Sequence, residues 1–143
     1  MEKTVSYEYD SASGHLKSMT DANGKKTSYA YDMMGRLTSV SRTNKVNGAD
    51  TTIANNYTYE NDRLKTISHN GMNYTFSYDS FGNLAQAKAG SRTLVTNTFK
   101  MNGTQLDKSV LGNNTGVSYE YDKYDRVIRE KSIKKRWDCS DRI

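Results

Sequence analysis

The chain repeats a short unit, Tyr-x-Tyr-Asp, at nearly regular intervals. It occurs as Tyr7-Glu8-Tyr9-Asp10, Tyr29-Ala30-Tyr31-Asp32, Tyr57-Thr58-Tyr59-Glu60, Phe76-Ser77-Tyr78-Asp79 and Tyr119-Glu120-Tyr121-Asp122, with a weakened copy at Asn97-Thr98-Phe99-Lys100. The second aromatics fall at 9, 31, 59, 78, 99 and 121, so the intervals are 22, 28, 19, 21 and 22 residues over nearly all of the 143-residue chain. A period of this size marks an array of one supersecondary unit, which buries its faces by stacking on its neighbours. An aliphatic anchor follows each second aromatic by five to seven residues: Leu16, Leu37, Leu64, Leu84, Leu106 and Val127.

Each half of the unit has a physical reading. Aromatics two residues apart place both rings on one face of a strand and the residue between them on the other. In Asp32-Met33-Met34-Gly35 and Asp79-Ser80-Phe81-Gly82, Asp and Gly hold the first and last positions of a type I turn. The carboxylate can bond the turn's amides, and Gly tolerates positive φ. The chain therefore turns back, and the anchor opens a return strand. A second turn signal ends that strand: Asn23-Gly24, Asn70-Gly71, Ala89-Gly90 or Asn113-Asn114-Thr115-Gly116. Asn-Gly between strand patterns is the strongest short hairpin signal. The pattern predicts an all-β antiparallel meander of β-hairpins, eleven or twelve strands from about six repeats. The surplus in the longest interval, residues 43–50, reads as a lengthened hairpin loop.

Composition narrows the choice further. Only 34% of residues are apolar, against an ordinary ~45–50%, and mean hydropathy is −0.90. There is too little aliphatic material for a thick core. Disorder shares that low hydrophobicity, but disordered chains are poor in aromatics and rich in proline, whereas this one has eleven tyrosines and no proline. No apolar run approaches the ~18 residues of a membrane span, and no secretory leader precedes the first strand pattern. Net charge is +5. The last fourteen residues hold +2 of it, and the rest is close to balanced, without the footprint of a nucleic-acid binder. The expected division is residues 1–130 as repeat region and 131–143 as a basic, frayed, non-repeat tail.

The residues quoted above, and Tyr29 to Val40 most of all, resemble the consensus of the RHS or YD repeat. This family includes bacterial Rhs and wall-associated proteins, the B and C shell components of Tc toxins, and teneurins. The resemblance runs from residue 4 to about 130. It implies a curved sheet, or a segment of a spiralling β-shell, in a secreted or cell-surface protein, with an effector enclosed in toxin members. The chain lacks the family's proline-containing core motif, so it reads as an internal fragment. The repeat-defining residues are Tyr7, Tyr9, Asp10, Tyr29, Tyr31, Asp32, Gly35, Leu37, Tyr57, Tyr59, Leu64, Phe76, Tyr78, Asp79, Gly82, Leu84, Tyr119, Tyr121 and Asp122.

Chemistry-bearing patterns are sparse. His15 occupies the slot before an anchor, and His69 precedes an Asn-Gly turn, so both read as surface-turn residues. The recurrent carboxylates read as turn caps, because the spacing of Ca²⁺-binding loops is missing. Cys139 has no partner for a disulfide or a metal site. No catalytic residue, metal or cofactor is expected, and the function read here is a non-enzymatic structural and interaction module that encloses or displays a cargo. Two alternatives stand beside it: a carbohydrate-binding surface using exposed tyrosines, and a fragment bearing the start of a C-terminal toxin effector in its tail. The tyrosines are expected to ladder across strands. Expected partners are flanking repeats, or other copies joined through raw sheet edges.

Overall fold

The computed structural model describes residues 4–134, which form twelve strands and, among the described residues, no helix. The chain divides into two compact units between Asn73 and Tyr74. In the first, β1 (Ser6–Tyr9), β2 (Leu16–Thr20), β3 (Lys26–Tyr31), β4 (Leu37–Val46), β5 (Ala49–Glu60) and β6 (Arg63–His69) pair antiparallel in chain order. In the second, β7 (Met72–Tyr78) pairs through its residues 74–78 with β8 (Leu84–Ala89), followed by β9 (Arg92–Phe99), β10 (Leu106–Leu111), β11 (Gly116–Tyr121) and β12 (Val127–Ile133). The all-β antiparallel meander is thus the fold. β12 continues to Ile133, and the expectations placed on residues 135–143, Cys139 included, lie outside the described residues.

One register rule governs every hairpin. The second aromatic sits opposite the aliphatic anchor: Tyr9 with Leu16, Tyr31 with Leu37, Tyr59 with Leu64, Tyr78 with Leu84, Phe99 with Leu106 and Tyr121 with Val127. The residue after each anchor is then skipped. Lys17, Thr38, Lys65, Ala85, Asp107 and Ile128 form a one-residue bulge at the same place in all six copies. Such a bulge bends its strand and increases the local twist. A ring therefore faces an aliphatic side chain across its own hairpin, in place of the ring-to-ring ladder expected from the tyrosine content.

A second rule joins one hairpin to the next. The residue two after an anchor pairs with the residue three before the next second aromatic: Ser18 with Ser28, Ser39 with Asn56, Gln86 with Thr96 and Lys108 with Ser118. In the first unit this lines up Glu8, Ser18, Ser28, Ser41 and Ala54 as one cross-strand row. Ser18 is only 3% exposed and donates its hydroxyl to Glu8 Oε2 at 2.9 Å. Among the described residues, Ala87 is the buried apolar residue and no large side chain is fully buried. The sheet has no interior core.

Turn chemistry sets the strand ends. At residues 32–36 the Gly35 amide donates to the Asp32 carbonyl at 3.0 Å and the Asp32 amide to the Arg36 carbonyl at 2.9 Å. With Gly35 at φ +78°, this is a type I turn closed by a left-handed residue, the usual three-residue hairpin loop. The loops at 79–83 and 21–25 repeat it with Gly82 and Gly24. Asn47-Gly48, at φ 52° and 83°, makes a two-residue turn instead, and β4 and β5 pair right up to it, Val46 opposite Ala49. The expected long loop at 43–50 is therefore strand. Asn-Gly suits the type I′ turn, whose twist matches that of the flanking strands, and the Thr43 and Thr52 hydroxyls bond each other at 2.9 Å beside it.

An added Cβ at Gly24 meets nothing within 4 Å, whereas at Gly35 it comes within 3.2 Å of the His15 ring. Gly24→Ala is expected to cost about 1–2 kcal/mol through its left-handed backbone alone. Gly35→Ala is expected to cost more, and the excess should vanish in a His15→Ala background. Urea unfolding of the four variants checks this; equal costs at the two glycines would contradict the His15 contact.

Candidate functional site

The side chains that reach from one repeat to the next converge on the edge carrying the Tyr-x-Tyr-Asp turns. That edge begins with the turn carboxylates. Asp32 Oδ1 accepts the Met34 and Arg36 amides at 3.0 and 2.9 Å, and its Oδ2 accepts Arg36 Nε at 2.7 Å. Asp122 repeats the pattern with Tyr124 and Arg126, and Asp79 with Phe81 and Asn83. In the four-residue loop after β1, Asp10 takes the Ala12 and Ser13 amides and the Ser13 hydroxyl. Glu60, which precedes the two-residue turn Asn61-Asp62, instead pairs with Lys65 at 2.7 Å.

These bonds favour the ionised carboxylates. The Arg36 amide first, then its guanidinium, holds Asp32 below its ordinary 3.8; the Arg126 side chain and amide do the same for Asp122, the Ser13 amide for Asp10 and the Lys25 amide for Asp21. Partial burial pushes Asp79 the other way, but the bonds from Asn83 prevail. On the strands, the Ser18 hydroxyl, then Lys17 and Lys26, lowers Glu8 from 4.5 to about 2, and Lys131 lowers Glu120.

In four repeats the residue just before the anchor is an arm that crosses to the next repeat. His15 is half-buried, with its ring stacked on Tyr31 at 4.7 Å and 21°; it is more than the surface-turn residue that its neighbours in sequence suggest. Arg36 lies over the Tyr59 ring at 4.6 Å and donates to Asp62 Oδ1 at 2.9 Å. Asn83 Nδ2 donates to the Gly103 carbonyl at 2.7 Å, and Gln105 Nε2 to Asp125 Oδ1 at 2.6 Å. A ring, a guanidinium and two amides thus do one job.

The second aromatic supplies a return contact. Tyr59 donates its hydroxyl to the Leu37 carbonyl of the preceding repeat, and Tyr121 to that of Leu106, each at 2.8 Å. Leu37 and Leu106 are anchors, and the bulge beside each interrupts the regular ladder there. In the copy where Phe99 has no hydroxyl, Asn97 Nδ2 donates to the Leu84 carbonyl at 3.0 Å instead. The first aromatics lie further from the turn edge: Tyr29 faces Val40, Tyr57 faces Ile67 and Phe76 faces Ala87.

Between the first two turns lies a groove of about 440 Å³, walled by Asp10, Ser13, His15, Tyr29, Tyr31 and Gly35 among others. Of its lining groups, Asp10 and Ser13 are engaged in their own turn and His15 is stacked on Tyr31. His69, at the opposite strand ends, is exposed, with Nδ1 against Asn55 Oδ1. Among the described residues no three His, Cys, Asp or Glu side chains come together as metal ligands. No helix there is long and apolar enough to cross a membrane.

With that geometry in view, the family model for the RHS repeat matches residues 9–46. That segment is similar to the RHS repeat. It includes the Tyr29 to Val40 copy and the first repeat-to-repeat contact, His15 on Tyr31. No curated protein matches the chain. Among solved structures, "Crystal Structure of TcdB2-TccC3-Cdc42" superposes with a TM-score of 0.66 at 20% identity, covering 88% of this chain and 7% of that one. "Crystal Structure of TcdB2-TccC3-TEV" gives 0.66 at 15%, covering 90% and 8%. "Crystal Structure of TcdB2-TccC3 without hypervariable C-terminal region" gives 0.55 at 16%, covering 90% and 9%. The chain shares their fold and spans less than a tenth of their length.

Two measurements test this edge. Tyr59→Phe and Tyr121→Phe should each cost about 0.5–1.5 kcal/mol, the net value of one hydrogen bond, and Asn97→Ala a similar amount. If all three unfold at the parental urea midpoint, the return contact contributes nothing. The carboxylates are depressed in the folded chain, so their contribution is complete above the unfolded values and lost as pH falls through the folded ones. Stability should therefore decline from about pH 4.5 toward pH 2, the window set by Glu8, with a shallower decline in Asp32→Asn when unfolding is followed across that range.

Proposed function

We propose that the chain is a section of structural wall, a non-enzymatic module of a larger RHS-repeat protein that encloses or displays a cargo. The observation that carries this reading is the repeat-to-repeat contact set on the turn edge. His15, Arg36, Asn83 and Gln105 each reach into the following repeat, and the hydroxyls of Tyr59 and Tyr121 reach back. The side chains that recur are spent on joining hairpins edge to edge. A wall needs this, because each repeat in such an array gains its stability from its neighbours. The fold likeness to the TcdB2-TccC3 structures supports the same reading. On it, residues 4 to about 130 are all RHS repeats, the repeat-defining tyrosines, aspartates and anchors are their joining residues, and the whole protein works outside the cytoplasm.

Hydrogen exchange on the full chain tests the reading. In a wall, Tyr59→Phe should lower amide protection in β3 and β4, the preceding repeat, as well as in β5 and β6. A loss confined to β5 and β6 would mean independent hairpins. The same chain on a broad glycan array separates the carbohydrate alternative: the wall reading expects no retention, and retention abolished by Tyr→Ala on one strand face would replace it. An activity lost on deleting residues 131–143 would favour the effector alternative.

A further inference from the structure

The sequence holds Asn-Gly four times, at 23–24, 47–48, 70–71 and 102–103, and the fold treats the four pairs differently. At 23–24 the Gly24 amide donates to the Asp21 carbonyl at 2.9 Å, in a loop where Asp21 also holds the Asn23 amide. At 102–103 the Gly103 amide donates to the Lys100 carbonyl at 2.8 Å, and Asn102 Oδ1 accepts the Thr104 amide at 3.2 Å. Gly103 is buried, so close to the Phe81 ring that an added Cβ would come within 2.3 Å of it. Asn47-Gly48 has neither restraint. A two-residue hairpin turn is closed by the residues that flank it, here Val46 and Ala49. The Gly48 amide therefore stays outside the ladder, and no carbonyl takes it among the described residues. Asn47 and Gly48 are both exposed. Asn70-Gly71, at φ 46° and 77°, has the same left-handed form, and its Gly71 amide is equally without a carbonyl among the described residues.

The hairpin that carries Asn47 also projects past its neighbours. β3 pairs with β4 as far as Arg42, and β6 pairs with β5 only from Asn55. Between those limits and the turn, the pairs from Thr43 with Thr52 to Val46 with Ala49 have no third strand beside them among the described residues. Segments with so little support open at low cost.

We propose that Asn47 is a self-modifying site, where the chain's own Gly48 nitrogen converts the asparagine to aspartate and isoaspartate. Opening of the overhang brings that nitrogen onto Asn47 Cγ, and glycine, with no Cβ, obstructs the approach least. The nitrogen bonds Cγ and gives up its proton, the Cγ–Nδ2 bond breaks, and Nδ2 leaves as ammonia carrying that proton. Water then opens the five-membered imide at one of its two carbonyls, and nothing is oxidised or reduced. Aspartate adds only a carboxylate. Isoaspartate also runs the main chain through Cβ and lengthens it by one carbon, for which a two-residue turn has no slack. Val46 and Ala49 then no longer close the hairpin, and the fraying stops where β3 and β6 begin to support it. None of these steps depends on the wall reading.

Incubation of the full chain at mildly alkaline pH, followed by peptide mapping and enzymatic methylation of isoaspartate, measures conversion at each Asn-Gly. In the folded chain Asn47 and Asn70 should convert several-fold faster than Asn23 and Asn102. In denaturant the four rates should converge, because the shared Asn-Gly sequence alone then sets them. Hydrogen exchange on the aged chain should show protection lost at 43–52 and kept at 37–42 and 55–60. Asn47→Gly, which leaves a pair suited to the same turn, should hold its protection at 43–52 through the same incubation. Asn47 converting no faster than Asn23 or Asn102 overturns the proposal, as does a folded chain in which Asn47 stays intact while the denatured chain converts. Protection lost on the same schedule in Asn47→Gly overturns the link between modification and fraying.

Discussion

Strands that bury almost no side chain cannot rely on a core, and much else about this chain follows from that constraint. Among the described residues Ala87 and Ser18 are the buried strand residues, so stability has to come from strand against strand. Cross-strand pairs contribute about 0.2–1 kcal/mol each, and exposed ion pairs add little. The pairs of Glu8 with Lys17 and Lys26, and of Glu120 with Arg129, therefore serve better as register marks than as a source of cohesion. Cohesion rises where a polar group is partly shielded and finds a partner. The turn edge collects such places.

The bulge after each anchor connects the two kinds of contact. Skipping one residue breaks the ladder beside the anchor, and in two joints the neighbouring tyrosine supplies the missing donor. The substitution of Asn97 for that donor beside Phe99 indicates that the carbonyl's need, rather than the ring, is what a repeat must meet. A tyrosine meets it while also covering the opposite anchor. That double use favours tyrosine over phenylalanine at Tyr59 and Tyr121.

Much of this was legible in the sequence. Strand number, hairpin order and turn positions follow from the aromatic doublets, the anchors and the Asn-Gly pairs. The variable spacing of five to seven residues also has a single cause: the loops hold four, three, two, three, four and three residues, and each spacing is its loop plus three. What could not be read was the bulge, because Lys17, Thr38, Lys65, Ala85, Asp107 and Ile128 share no chemistry. The arms were hidden for a related reason. His15, Arg36, Asn83 and Gln105 look like unrelated turn residues until the register lays each beside the next repeat. The stretch at 43–50 misled because turn-forming residues surround it, yet only Asn47-Gly48 turns.

The mixture of arms also accounts for how far such a sequence can drift without losing its fold. Each arm needs only to span one strand spacing and to present a donor or a flat ring, a condition that imidazole, guanidinium and amides all satisfy. The left-handed turn position is similarly permissive: Gly35 and Gly82 hold it in two repeats and Asp125 in another. Asp is among the few L-residues that visit this region with modest strain. What must be kept is geometry: aromatic opposite anchor, one skipped residue, and the fixed offset to the next hairpin. Selection on geometry with loose chemistry yields a chain that superposes over nine-tenths of its length on structures with which it shares only 15–20% of its residues.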